Sequence, residues 1–300
     1  MAEKKRYFLE PAVLGRLIAL PLQARQAMLG NVSGKHRSPI RGSSLEFDQY
    51  RKYVPGDDTR RLDWRTWGRS DRFYIKQFEA DTNLRLCLLM DTSGSMDFGT
   101  EGATRFDYAR KLAGSLGYFA AEQGDAVGLW SLATKRVEIP ARRGPAHLGQ
   151  VLDQLGELKP AGGTTLIEAL HEAAEKVRQR ALVVIFSDFF VAPAELKSAF
   201  QHLRFRKHDV AAFHLLDQQE LDFDFDRPAR FLDMEGGETM LADPSLIARN
   251  YREAVRRYIA EMEEVIRTTG VDYHRVRLQE NYEGALARFL LARIQNHPRR

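Results

Sequence analysis

The sequence predicts an α/β fold built on a doubly wound, mostly parallel sheet. Two observations carry that prediction. From residue 84 onward, short apolar runs alternate with segments whose apolar residues recur at helical spacing. The chain of 300 residues is 44% hydrophobic and 29% charged, which is ordinary globular usage with enough apolar material for a sizeable core. Wholesale disorder and collagen-like repeats are excluded, and the single cysteine, Cys87, excludes an intrachain disulfide framework. Alternating strands and helices place successive strands side by side in parallel.

The elements follow in chain order. Residues 1–6 are basic, and Leu14, Leu17 and Ile18 share one face of a short amphipathic helix over 11–18. Arg16 and Pro21 interrupt the apolar segment that a signal peptide needs, and no run approaches the ~18 apolar residues of a membrane span. A cytoplasmic protein is expected. Strands are expected over 84–90, 126–132, 137–139, 181–186, 209–216 and 271–278. Helices are expected from Thr104, with Asp107 three residues on as capping partner, and over 166–179, 246–268 and 282–293. Residues 231–241, interrupted by Gly236 and Gly237, read as an antiparallel hairpin at a sheet edge. The alternating Asp222, Phe223, Asp224, Phe225, Asp226 reads as an edge segment.

Charge divides the chain. Residues 1–80 hold 16 Lys and Arg against 9 Asp and Glu, whereas the remainder holds 29 against 32. Together with the weak periodicity of the first part, this places a boundary at residue 80. Residues 1–80 form a small irregular or β-rich module, and residues 81–300 the α/β domain.

The sharpest local signal is Asp91-Thr92-Ser93-Gly94-Ser95, directly after the first strand. Ligands of open α/β sheets bind beyond the carboxyl ends of the strands. One carboxylate and two hydroxyls there are hard oxygen donors, suited to Mg²⁺ or Mn²⁺ rather than Zn²⁺. Gly162-Gly163-Thr164-Thr165 offers a hydroxyl from a second loop, and Ser187-Asp188 follows another strand with a second carboxylate. These motifs resemble the von Willebrand factor type A domain, a Rossmann-like fold whose metal-ion-dependent adhesion site uses an Asp-x-Ser-x-Ser loop, a Thr from a second loop and an Asp after a later strand. The resemblance implies Asp91, Ser93, Ser95, Thr164 and Asp188 as the metal set, with Thr165 as the alternative second-loop residue. It also implies an open metal position that accepts an Asp or Glu carboxylate from a protein partner. The third loop departs from the family's Thr-Asp-Gly pattern by reading Ser-Asp-Phe.

Glu46, Tyr50, Tyr53, Gly56, Asp57, Arg60, Asp63, Trp64, Arg69, Lys76 and Glu79 form a second block just before the metal motif. The chain is similar here to the bacterial family named domain of unknown function 58, and the strand at Asp272-Tyr273 and the helix over 285–293 fit that family too. The resemblance implies a MoxR-type AAA+ ATPase as partner. Physically, Arg60, Arg65 and Arg69 interleave with Trp64 and Trp67. Arg pairs with carboxylates in bidentate fashion and stacks on aromatic rings. The block reads as an internal network with Asp57, Asp63 and Glu46, or as a partner surface formed by Arg60, Trp64, Arg65 and Arg69, or as a stacking platform for single-stranded nucleic acid.

Enzyme signatures are thin. The sequence has no P-loop and no His-Glu-x-x-His helix. Cys87 lies in the middle of a strand and His214 in an apolar one, so both read as packed residues. The position two after Asp91, where an aspartyl phosphatase carries its second acid, is Ser93. The expected function is non-catalytic, Mg²⁺-dependent protein binding. A metal-dependent hydrolase and a nucleic-acid binder are the alternatives.

Overall fold

The computed structural model describes residues 6–24, 36–37, 46–52, 73–79, 81–82, 84–100, 103–132, 137–163, 165–223, 229–232, 239–242 and 244–295. The chain divides into two compact units, Met1–Arg25 with Arg85–Arg300, and Gln26–Leu84. The larger unit thus takes in the first 25 residues as well as the α/β region. The smaller unit carries two antiparallel pairs, Glu46–Lys52 with Tyr74–Glu79 and His36–Arg37 with Asp81–Thr82.

The larger unit is built on a six-stranded sheet. Its strands are β1 (Arg85–Met90), β2 (Ala126–Ser131), β3 (Glu138–Arg142), β4 (Leu182–Ser187), β5 (Asp209–Leu216) and β6 (Asp272–Arg277), in the spatial order β3-β2-β1-β4-β5-β6. All pairs are parallel except β2 with the edge strand β3. The helices are α1 (Pro11–Leu17), α2 (Arg105–Glu122), α3 (Pro145–Glu157), α4 (Leu166–Lys176), α5 (Pro193–Phe205), α6 (Gln218–Asp222), α7 (Pro244–Thr269) and α8 (Tyr282–Gln295). This is the doubly wound α/β fold that the alternating pattern predicts.

The central strands are buried on both faces, which is why they read as continuous apolar runs. Alternate residues serve opposite layers. Cys87 and Leu89 of β1, with Val183 and Ile185 of β4, pack with Leu170 of α4, Leu196 and Phe200 of α5, and Met262 of α7. On the other face, Phe186 stacks on Phe213 at 5.1 Å between ring centres, and Phe213 lies 5.1 Å from Phe289 of α8. Helix α2 covers the same face, with Gly117 set against Leu88 and Val127. Each such buried Leu or Phe contributes about 1.5–3 kcal/mol.

The α2 cap forms as expected. Thr104 Oγ1 accepts from the Asp107 N–H at 3.1 Å, and Asp107 reciprocates toward the Thr104 backbone. Three expectations need correction. The 231–241 hairpin is real as the pair Ala229–Leu232 and Thr239–Ala242, but it stands as its own two-stranded sheet rather than at the edge of the main one. The segment from Asp222 is not an edge strand where it is described. Asp217 and Glu220 form a capping box that starts helix α6, and Phe223 closes it in a left-handed turn, buried. The helix from Leu166 stops at Lys176 rather than at residue 179. Among the described residues no helix is long and apolar enough to cross a membrane.

Candidate functional site

Strands β1 and β4 are neighbours, with Met90 opposite Phe186, so the loops that leave their carboxyl ends start side by side. The connections from these two strands run in opposite directions across the sheet. That is the crevice where open α/β sheets bind ligands. Asp91 continues the ladder, its N–H donating to the Phe186 carbonyl at 3.0 Å. The chain then turns through Ser93 into a short 3₁₀ helix, Gly94–Asp97.

Asp91 is 1% exposed. Its Oδ1 accepts the Ser93 N–H at 2.9 Å and its Oδ2 accepts the Ser187 hydroxyl at 2.6 Å. Ser93 Oγ and Ser95 Oγ lie 3.0 Å apart. The second loop is laced to the first through its backbone. The Gly94 N–H donates to the Gly162 carbonyl at 2.8 Å, and the Ala161 N–H to the Thr92 carbonyl at 2.9 Å. Thr164 lies outside the described residues, and the neighbouring Thr165 hydroxyl donates to the Leu132 carbonyl at 3.4 Å.

The third loop holds Asp188, which is 2% exposed. Ser187 Oγ accepts the Phe189 N–H at 2.8 Å, and Phe189 adopts φ 52°, a left-handed conformation that a bulky residue holds only under constraint. The turn leaves Phe189 buried and Phe190 half-exposed beside Asp188.

The residue that sequence reasoning missed is Arg105. It is the first residue of α2 and is 1% exposed. Its Nη1 donates to Asp188 Oδ2 at 2.9 Å and to the Ser95 carbonyl at 2.8 Å, and its Nη2 pairs with Glu220 of α6. The Phe98 and Phe190 rings lie 4.9 and 5.4 Å from its guanidinium carbon. No local signal marks it, because Asp188 is 83 positions away in the chain. A cation at the first position of a helix meets the positive end of the macrodipole, so a buried one there needs nearby anions.

Burial pushes the Asp91 carboxyl up to about 6, the charge of Asp188 adds to that, and the hydrogen bonds from Ser187 and Ser93 oppose it. Burial likewise raises Glu220, against the pull of Arg105. The donors gathered here are two carboxyls and two serine hydroxyls, all hard oxygens of the kind Mg²⁺ and Mn²⁺ take. Among the described residues no three His, Cys, Asp or Glu converge on a metal position, so a cation held here would need hydroxyl and water oxygens as well.

The two residues read as packed are packed. Burial raises the Cys87 thiol to about 12, and His214 is fully buried, its Nδ1 2.6 Å from the Tyr273 hydroxyl. The expected partner residues Arg60, Trp64, Arg65 and Arg69 lie outside the described residues.

Residues 49–264 match the family model described as "Protein of unknown function DUF58", and the chain belongs to that family. It is 28% identical over 290 residues to the uncharacterized protein Rv1480 of Mycobacterium tuberculosis, covering 95% of this chain and 90% of that one. Among solved structures, it is similar to an aerotolerance-related membrane protein from Bacteroides fragilis, with 14% identity and a TM-score of 0.46 over 71% of this chain and 100% of that one. It is also similar to the von Willebrand factor type A domain of SpRpn10, with 12% identity and a TM-score of 0.41 over 69% of this chain and 94% of that one.

Proposed function

We propose that this DUF58 protein is a non-catalytic protein-binding module whose loops beyond β1 and β4 hold a Mg²⁺ ion, or Mn²⁺ in its place. Asp91, Ser93, Ser95 and Asp188 hold the ion, with Thr164 as the second-loop residue. Bound there, the metal supplies an electrophilic position for one carboxylate of a partner. The observation that carries the reading is the pair Asp91 and Asp188. Two acids are buried at adjoining strand ends, and only Asp188 has an ion pair to a basic side chain among the described residues. Neutral hydroxyls beside them donate little charge, so a divalent ion keeps affinity for one more anion.

The partner in this reading is a MoxR-type AAA+ ATPase that presents an Asp or Glu. That assignment rests on the family resemblance of the Arg- and Trp-rich block and the metal motif. The chain's own residues bind and orient. Ser187 and the Ser93 N–H fix the Asp91 carboxylate, and the links from Ala161 and Gly94 fix the two loops against each other.

The test is a pull-down from native lysate with wild type and Asp91→Ala as baits, each in Mg²⁺ and in EDTA. An ATPase retained by wild type in Mg²⁺ and lost in the other three conditions is the expected result. Equal retention in all four, with both baits folded by circular dichroism, overturns the reading.

A further inference from the structure

We infer that Arg105 is a resident cation of this site, bracing its loops without metal and lowering its affinity for a divalent ion by engaging Asp188. The inference rests on the metal reading above and concerns what sets the strength of that binding.

A guanidinium that is 1% exposed carries a large desolvation penalty, which only well-placed anions and acceptors offset. Its position at the amino end of α2 adds to that penalty. Arg105 is therefore stable where it is only because three separate segments supply acceptors. These are the Ser95 carbonyl of the first loop, Asp188 of the third, and Glu220 of α6. The planar fork reaches all three at once, and Phe98 and Phe190 lie beside it. No single element would gather that set. The guanidinium ties the first loop to the third across the β1–β4 crevice.

The consequence for a metal follows from charge. Asp188 Oδ2 is already committed to a cation at 2.9 Å. A divalent ion bound beside Asp91, Ser93 and Ser95 meets a fixed positive charge next to one of its own expected carboxylates. It must share Asp188 with Arg105 or bind without it. At the effective dielectric of a partly buried site, one charge within several ångströms changes affinity by about tenfold or more. A mere brace and a tuning charge predict opposite signs. If Arg105 only held the loops, its loss would disorder the donors and weaken metal binding. If it competes for Asp188, its loss strengthens metal binding while weakening the metal-free protein.

The experiment is a Mn²⁺ titration of the full chain by calorimetry, with thermal melts in EDTA and in Mn²⁺, for wild type, Asp91→Ala, Arg105→Gln and Glu220→Gln. Arg105→Gln is expected to bind Mn²⁺ at least about tenfold more tightly than wild type. It should also melt lower in EDTA and gain more from Mn²⁺. Glu220→Gln removes the second anion on the guanidinium and leaves its charge to Asp188. It is expected to bind several-fold more weakly, and it keeps the test open if Arg105→Gln does not fold. The proposal is overturned by a folded Arg105→Gln with unchanged or weaker affinity, or by Glu220→Gln with unchanged affinity. The two readings fail differently. Wild type and Asp91→Ala binding Mn²⁺ alike would overturn the metal site itself. Binding by wild type, none by Asp91→Ala, and no gain in Arg105→Gln would overturn only the role of Arg105.

Discussion

Asp91→Asn should stabilise the metal-free protein. Asp91 is buried, and its carboxyl lies at about 6 in the folded chain against an ordinary 3.8. A folded value above the unfolded one means that folding opposes ionisation. The stability is fully present below about 3.8, declines as pH rises toward about 6, and stays reduced above that. At 1.36 kcal/mol for each tenfold, the reduction at pH 7.5 is about 3 kcal/mol. Asn keeps the shape and still accepts the Ser93 N–H. Its amide group faces Ser187 Oγ, whose hydroxyl must reverse, and losing that charged hydrogen bond offsets about 1 kcal/mol. The expected net gain in EDTA at pH 7.5 is about 2 kcal/mol, falling close to zero by about pH 4.5. Urea unfolding of both proteins at the two pH values, in EDTA, measures it. In saturating Mg²⁺ the order should reverse, because ligand binding stabilises only the protein that binds. An Asn variant less stable than wild type in EDTA at pH 7.5, or a gain that ignores pH, would refute the electrostatic account.

Two further predictions concern the opposite end of the sheet and its flank. Arg293 of α8 is fully buried, with Nη1 on Asp272 at 2.8 Å, Nη2 on Asp209, and Nε on the Gln23 carbonyl at 2.6 Å. Arg293→Met should lower the urea unfolding free energy by about 3–5 kcal/mol, because two buried carboxylates lose their cation, and a loss under about 1 kcal/mol would show the triad to be idle. His208 is 1% exposed, and burial, aided by the charges of Arg206 and Arg180, lowers it from 6.5 to about 4. The stability it confers as a neutral ring is complete above about 6.5 and is lost as pH falls toward about 4. Wild type should therefore lose about 2–3 kcal/mol more than His208→Gln between pH 7.5 and 4.5, as read by urea unfolding.

The parts of the fold legible in the sequence were those whose signals are local. Thr104 and Asp107 cap α2 within four residues, and the apolar runs of β1, β4 and β5 stand out because helices cover both faces. Helices α3 and α5 were not legible, although both begin with a proline in their first turn, Pro145 and Pro193, where the missing N–H costs nothing. Asp222 opens a segment with the alternation of a strand, yet it ends helix α6, which the capping box of Asp217 and Glu220 starts. At the site, the placement of Asp91, Ser93, Ser95 and Asp188 beyond the ends of β1 and β4 was legible from the apolar runs that precede them. Arg105 was not, because its partner Asp188 is 83 positions away and only the β1–β4 pairing makes them neighbours.

That pairing also explains why the site is demanding. With Met90 opposite Phe186, the residues beyond the two strands leave from one place, and an acid in each loop means two buried carboxyls close together. A sheet selected for stability alone would have put Asn or Ser at one of them. Instead, among the described residues, Arg105 is the cation that reaches the pair, and it goes to Asp188. Asp91 is left with neutral donors, the Ser93 N–H and the Ser187 hydroxyl, which orient a carboxylate without balancing its charge. A third acid, Glu220, shares that same guanidinium, so Arg105 cannot serve Asp91 as well. The local deficit of positive charge is thus built by the same contacts that hold the loops together. A mobile divalent cation is the species of the right sign and hardness to meet it.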